Sequence, residues 1–227
     1  MLYTLTSVKD NIRNRDGNRV FYLGKQDRLT SEARDYLTRE HIPILPAEEA
    51  KPQRYRLPGG GYLEEKPEHM THLNGDVLVP KTHPRIALRN AMDALQADLL
   101  LCQLYCEPPL RKQVGHALQL SRKLLSQEVM DEPVETLLLD GMDDAQLRAR
   151  SHRPQEFYGQ AHFMPEYTDG LQILLLNRCR CAARYAELAA VNAFAGPEGL
   201  PTRPDLIRAL NRLSSYLYLL MIQEKSK

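Results

Sequence analysis

Apolar positions recur along this chain with two textures, and the change from one to the other divides it. From about residue 84 onward they return every three and four residues, the period of a helix with one buried face. The stretch "PRIALRNAMDALQADLLLCQLYCE" predicts a helix that opens on Pro84, a favourable first-turn residue, and stops before Pro108 and Pro109, which cannot continue it. Leu110, Val114, Ala117, Leu118, Leu124 and Leu125 predict a second helix over about 110 to 130. "DDAQLRARSH" predicts a short, mostly polar helix near 143 to 152, and two long helices are expected over about 168 to 194 and about 203 to 224. In the last of these Leu206, Leu210, Leu213, Leu217 and Leu220 mark a heptad-like seam. Four or five helices joined by modest loops predict a mainly α fold, a four- to five-helix bundle.

The first part reads differently. "NRVFYL" predicts a strand, "LTSEARDYLTREH" a capped helix with Ser31 at or near its start, and "IPIL" a second strand. "PAEEAKPQRYRLPGGGYLEEKPEH", rich in proline and holding three consecutive glycines, predicts an irregular linker. The expected organisation is a small N-terminal α/β unit with its linker over 1–66 and a helical bundle over 67–227.

Charge changes the picture only locally. Charged residues are 26% of the 227, yet the formal net charge is +1, so bulk electrostatics point to neither nucleic acid nor an anionic membrane. The longest apolar runs, such as "LQILLL", fall well short of the ~18 residues of a membrane span, and "MLYTLTSVKD" lacks the features of a signal peptide. A cytoplasmic chain is expected. In that reducing setting Cys102, Cys106, Cys179 and Cys181 are expected as free thiols, and their spacing of four and two on helices is not that of a zinc site.

Three segments do not fit a plain bundle. In "NRCRCAARYAEL" the residues Asn177, Arg180, Arg184, Glu187 and Val191 share one helical stripe, while leucines and alanines make the rest of the helix apolar almost all round, which predicts a buried helix. Buried arginines require carboxylates or a ligand anion, and Glu187 can balance only one of them. The stripe is therefore either a solvated face or an anion site built of guanidinium forks. In "MTHLNGDVLVPKTHPRIALRNAMDAL", Thr71, the amides around Asn74 and Gly75, and Lys81 before a proline-initiated helix have the parts of a phosphate-cradling loop, though not of a Walker loop. Asp93, among apolar neighbours farther along, calls for a cationic partner, with Arg180 and Arg184 the candidates. In "ALNRLSSYLYLLM", Asn211, Ser214, Ser215 and Tyr218 form a polar stripe that can serve cross-helix hydrogen bonds or a nucleotide.

Together these segments resemble the propanediol-utilisation-type cobalamin adenosyltransferases, and more closely their ethanolamine-utilisation branch. Thr71, Leu73, Val79, Lys81, Pro84, Arg85 and Asp93 stand in the order of the family loop, with "DAL" for "DEL". "RCAARYAEL" is similar to the family's "RxxxRRAER", matching at Arg180, Arg184, Ala186 and Glu187, with Tyr185 and Leu188 in place of arginines. "LNRLSS" resembles "LNRLSD" at Asn211, Arg212 and Ser214. The resemblance spans about residues 66 to 225, and "RLTSEARDYLTREHIPIL" is similar to the N-terminal unit of the ethanolamine branch. "PGGGYLEEKPEHM" lacks the cysteines of the metal finger that members of that branch often carry, so no bound zinc or iron is expected.

The resemblance implies transfer of the 5'-deoxyadenosyl group of ATP to the cobalt of cob(I)alamin, with release of triphosphate. It further implies Mg2+ with the nucleotide, a homotrimer with shared active sites, and a flavin-type reductase as electron donor. Supply of adenosylcobalamin to ethanolamine ammonia-lyase, within or beside a bacterial microcompartment, belongs to the same expectation. It assigns ATP to Thr71, Lys81, Arg180, Arg184, Glu187 and Asn211, and an intersubunit pair to Asp93 and Arg180. "AHFMPEY" resembles the apolar wall against which the family holds the corrinoid without its lower ligand; spacing from Pro165 selects His162, hydrophobicity selects Phe163, and the two stay open. The alternative is a non-catalytic corrinoid carrier or microcompartment-associated adaptor that kept the bundle. Fewer arginines imply fewer cationic contacts to ATP than in the propanediol branch.

Overall fold

The computed structural model describes residues 1–15, 18–49, 55–63 and 65–227, and the chain divides into two compact units, Met1–Arg54 and Tyr55–Lys227. The division falls at Tyr55, ahead of the expected boundary at residue 66, because the first strands of the second unit already lie in what reads as linker.

In the first unit β1 (Leu2–Tyr3) is followed by α1 (Leu5–Asn11), β2 (Arg13–Arg15), β3 (Asn18–Leu23), β4 (Arg28–Leu29), α2 (Ser31–Arg39) and β5 (Ile44–Pro46). Strand β3 lies antiparallel to β2 and parallel to β5, and β1 pairs with β4 in parallel. The expected helix begins at Ser31, and its cap is one residue earlier: the Thr30 hydroxyl accepts the Ala33 amide at 3.3 Å. Val8, Phe21, Ala33, Leu37 and Ile42 close a small core. Helix α1 was not expected from the sequence; Thr4 and Ser7 nucleate it through a reciprocal capping box that a pattern search for Glu or Gln passes over.

The second unit opens with β6 (Tyr55–Arg56), β7 (Tyr62–Leu63), β8 (Met70–Asn74) and β9 (Val77–Pro80), joined in the order β7-β6-β9-β8. One expectation is corrected here, and another segment takes a defined form. The glycine-rich stretch expected to be irregular contributes two short strands, while its residues 50–54 and 64 lie outside the described residues. The expected phosphate-cradling loop is a hairpin, with Thr71 opposite Val79 and a turn at Gly75, whose φ of +54° suits a residue without Cβ. Asn-Gly between alternating apolar residues is a hairpin signal in its own right.

The bundle follows: α3 (Pro84–Tyr105), α4 (Leu110–Val129), α5 (Asp144–His152), α6 (Pro154–Tyr158), α7 (Leu171–Ala193) and α8 (Pro204–Lys225). Helices α3, α4 and α7 pack against one another or α8, which runs through the centre with Leu206, Leu210, Leu213, Leu217 and Leu220 all at most 1% exposed. Each such leucine contributes about 1.5 to 3 kcal/mol on burial. No helix among the described residues is long and apolar enough to cross a membrane.

Candidate functional site

Helix α7 is not buried all round as its composition predicts. One side, with Ile173, Leu176, Cys179, Ala183, Ala186 and Ala190, packs inward; Arg178, Arg184, Tyr185 and Leu188 face out, the last two at 66% and 57% exposure. The alanines keep the helix close to its neighbours, so the large side chains remain outside. Of the four thiols, Cys102, Cys106 and Cys179 are buried and Cys181 is exposed. The Cys106 contact pulls the Cys102 thiol down, but the Cys179 contact and burial outweigh it and push the thiol up to about 12, so it stays protonated and behaves as a small apolar group.

Between α7 and α8 the polar stripe groups form two small networks, one around Arg180 and one around Asn211. Arg180 donates from Nε and Nη2 to the Asn177 side-chain oxygen at 3.1 and 2.9 Å, and its guanidinium lies 5.8 Å from the centre of the Tyr218 ring. No carboxylate pairs with Arg180 or with exposed Arg184 among the described residues. Glu187 instead accepts from Asn211 Nδ2 at 2.9 Å, and Asn211 Oδ1 accepts from Arg212, itself buried and paired with Asp144 at 2.9 Å. Ser214 and Ser215 turn back to the Asn211 carbonyl, so these two hydroxyls serve their own helix rather than a cross-helix contact.

Tyr218 extends the group to the segment after α6. The His162 ring stacks on it at 5.7 Å with 10° between planes, and Phe163 lies 6.4 Å away at 24°. His162 is exposed, whereas Phe163 is half-buried against the bundle core and carries the Lys225 ammonium over its ring at 5.6 Å. The aromatic pair and Arg180 thus share one tyrosine, a connection the sequence pattern did not single out: Tyr218 was one of four polar residues on a helix face.

The other expected residues stand apart. Thr71 is half-buried in β8; Lys81, just after β9, is exposed and pairs with Glu68 at 3.3 Å. No hydrogen bond or ion pair among the described residues joins this hairpin to the α7–α8 group, nor Asp93, which is exposed on α3, to Arg180. Around these charges α3 and α7 expose apolar side chains, among them Leu101, Leu104, Leu171, Tyr185 and Leu188.

A second polar cluster, unforeseen in the sequence, lies where α3 starts and α4 ends. Glu128, wholly buried, receives Arg85 Nε at 2.5 Å and Arg89 Nε at 2.6 Å, and its carbonyl receives Arg85 Nη2 at 2.6 Å. Arg203 pairs with Asp205 at 3.0 Å, and the centre of the Phe194 ring lies 5.5 Å from the Arg85 guanidinium and 5.7 Å from that of Arg203. Burial, then Arg85 and Arg89, hold the His83 imidazole below its ordinary range against the opposing pull of Glu128. The signal was available: Glu128 continues the buried stripe of Val114, Leu118, Ser121 and Leu124 on α4.

The pattern of the family described as cobalamin adenosyltransferase matches residues 61–224. The chain is similar to corrinoid adenosyltransferase EutT of Salmonella typhimurium, 31% identical over 163 residues, 72% of this chain and 61% of that protein. It is 29% identical over 165 residues to EutT of Escherichia coli K12, 73% of this chain and 62% of that one. The chain therefore spans about three fifths of the length of these curated relatives. Its fold is similar to a variant PduO-type ATP:corrinoid adenosyltransferase from Lactobacillus reuteri, solved complexed with cobalamin and ATP. The TM-score is 0.53 at 16% identity, covering 69% of this chain and 88% of that one, a likeness of fold alone. With the match running from Gly61, the last of the three consecutive glycines before the hairpin, almost to the end of α8, the chain belongs to the cobalamin adenosyltransferase family.

Proposed function

We propose that this chain is an ATP:cob(I)alamin adenosyltransferase of the ethanolamine-utilisation kind, making adenosylcobalamin for an ethanolamine ammonia-lyase. The observation that carries the reading, beside the family, is Arg180. A half-buried guanidinium held by an amide and an aromatic face, with no carboxylate partner among the described residues, keeps its charge for an external anion.

In the reaction the cobalt(I) electron pair attacks C5' of ATP, the Co–C bond forms, the C5'–O bond breaks, and its electron pair leaves on triphosphate. The nucleophile belongs to the corrinoid, so the protein contributes position and electrostatics. Arg180 and Arg184, with Lys81, stabilise charge that builds on the leaving group. Thr71 and the hairpin amides hold phosphate oxygens, and Asn211 orients the nucleotide through its link to Glu187. His162 and Phe163 form the wall beside the corrinoid.

Magnesium bound with the nucleotide would neutralise phosphate charge. Such an ion takes one or two carboxylates along with substrate oxygens. Glu187 fits that part, since only one of its oxygens has a hydrogen-bond partner among the described residues.

The separation of the hairpin and Asp93 from the α7–α8 group supports a homotrimer in which neighbouring copies complete each site, Asp93 of one facing Arg180 of the next. The apolar side chains exposed on α3 and α7 are suited to that contact. A flavin-type reductase as electron donor and a cytoplasmic place in or beside a microcompartment complete the proposal.

Anaerobic incubation of the protein with ATP, Mg2+ and chemically reduced cob(I)alamin tests it, read by the absorbance change of a new Co–C bond. Protein- and ATP-dependent product is expected. Cobalamin bound without product would favour the corrinoid carrier, the reading that exposed Tyr185 and Leu188, in the place of family arginines, speaks for.

A further inference from the structure

Tyr218 is the meeting point of two groups that the proposed reaction needs to keep in register. Its ring faces the Arg180 guanidinium at 5.8 Å and the His162 ring at 5.7 Å. Its hydroxyl lies 3.0 Å from His162 Nδ1 and accepts the Phe163 amide at 3.4 Å. The far side of the imidazole is also engaged, with Nε2 3.3 Å from the His152 carbonyl oxygen.

Those partners fix the tautomer. A carbonyl oxygen only accepts, so Nε2 must carry the hydrogen; in the neutral ring Nδ1 then has the lone pair, and the Tyr218 hydroxyl must donate to it. The same hydroxyl oxygen retains a lone pair for the Phe163 amide. Every polar valence of the ring is used.

We propose that Tyr218 is a positioning residue with two separable parts: its ring steadies Arg180, and its hydroxyl occupies the His162 lone pair so that the imidazole forms a wall rather than a metal ligand. The chemistry makes the second part consequential. Imidazole nitrogen is a ready metal ligand, and an axial donor tunes a corrinoid's cobalt away from the reduced, nucleophilic state. A histidine beside a corrinoid with a free Nδ1 would compete for that axial position. Saturating both nitrogens removes the competition and leaves a flat surface.

The inference rests on the proposed corrinoid site, but its first test does not. Nitrogen-15 spectra of histidine-labelled, ligand-free full-length protein, with His162→Gln used for assignment, should show His162 hydrogenated at Nε2; hydrogen at Nδ1 would overturn the proposal. Two variants then separate the parts. Tyr218→Phe keeps the ring, so KM for ATP should stay within about twofold, while Tyr218→Leu should raise it roughly five- to tenfold through loss of the cation–π contact. With cob(II)alamin as probe, electron paramagnetic resonance should show an added axial nitrogen in Tyr218→Phe, absent in Tyr218→Phe combined with His162→Gln. An unchanged cobalt spectrum in Tyr218→Phe, or an equal rise of KM in both tyrosine variants, refutes the division of roles. A wild-type protein that shows the expected tautomer yet binds no cob(II)alamin refutes the corrinoid reading, and with it the role of His162 as a corrinoid wall.

Discussion

The two arginine clusters of the helical unit use the same side chain to opposite ends. Where α3 begins and α4 ends, Arg85 and Arg89 share the buried Glu128, and Arg203 has Asp205 and Asp131 within 4 Å. Three guanidiniums meet three carboxylates, and the cluster closes on itself. Between α7 and α8, Arg180 is held by Asn177 and the face of Tyr218, and the nearby Glu187 is turned to Asn211. Neutral partners orient a guanidinium without cancelling its charge. The first cluster holds helices together; the second has no carboxylate partner for Arg180 among the described residues, as the proposed anion site requires.

The largest effect that would break this comparison is on stability. Glu128→Ala strands two largely buried guanidiniums and should cost about 3 to 5 kcal/mol in denaturant unfolding. A loss below about 1 kcal/mol would mean that the cluster is not the closed structural unit described. Arg180→Ala should do the reverse. It should leave the unfolding midpoint nearly unchanged while lowering kcat/KM for ATP about 10²- to 10³-fold, the range for one lost contact to developing charge. A destabilised Arg180→Ala protein with unchanged turnover would place Arg180 with the structural arginines.

Acid sharpens the contrast further. Burial raises Asp205, but hydrogen bonds from Arg203 and from the Val134 and Leu206 amides outweigh it and hold the carboxyl at about 2. Because the folded value lies below the unfolded one of about 3.9, the contribution is present above that pH and lost as pH falls toward about 2. It amounts to on the order of 2 kcal/mol. Asp205→Asn should remove this part of the acid transition, seen in unfolding curves taken at stepped pH; an unaltered slope would deny the pairing. The smallest effect concerns Asp93. If it faces Arg180 of a neighbouring copy, Asp93→Arg together with Arg180→Asp should assemble better than either alone, by about 1 kcal/mol of coupling in sedimentation experiments. Strictly additive losses would argue against the contact.

Much of the fold was legible because it is written in short-range terms. Pro84, Pro108 and Pro109 bracket one helix, and apolar steps of three and four place the others to within a few residues. The hairpin carried by Asn74 and Gly75 was also legible in the alternation around Asn-Gly, which concerns the backbone and leaves the phosphate-binding reading of its hydroxyl and ammonium as it stands. On α7 the composition overstated burial, since alanines count as apolar yet cover little, and the large residues among them remain exposed.

By itself, then, the sequence determined the long helices, the leucine seam of α8, the small first unit and the residue types from which an anion site could be made, because periodicity and chain termination act within a few residues. It did not determine which arginines would be neutralised. Glu128 is 43 and 39 positions from Arg85 and Arg89, and Tyr218 is 56 from His162. Pairings at such separations have no local period. They arise only when packed helices bring side chains within about 3 Å, and that contact separates the arginines that build the bundle from those left free to act.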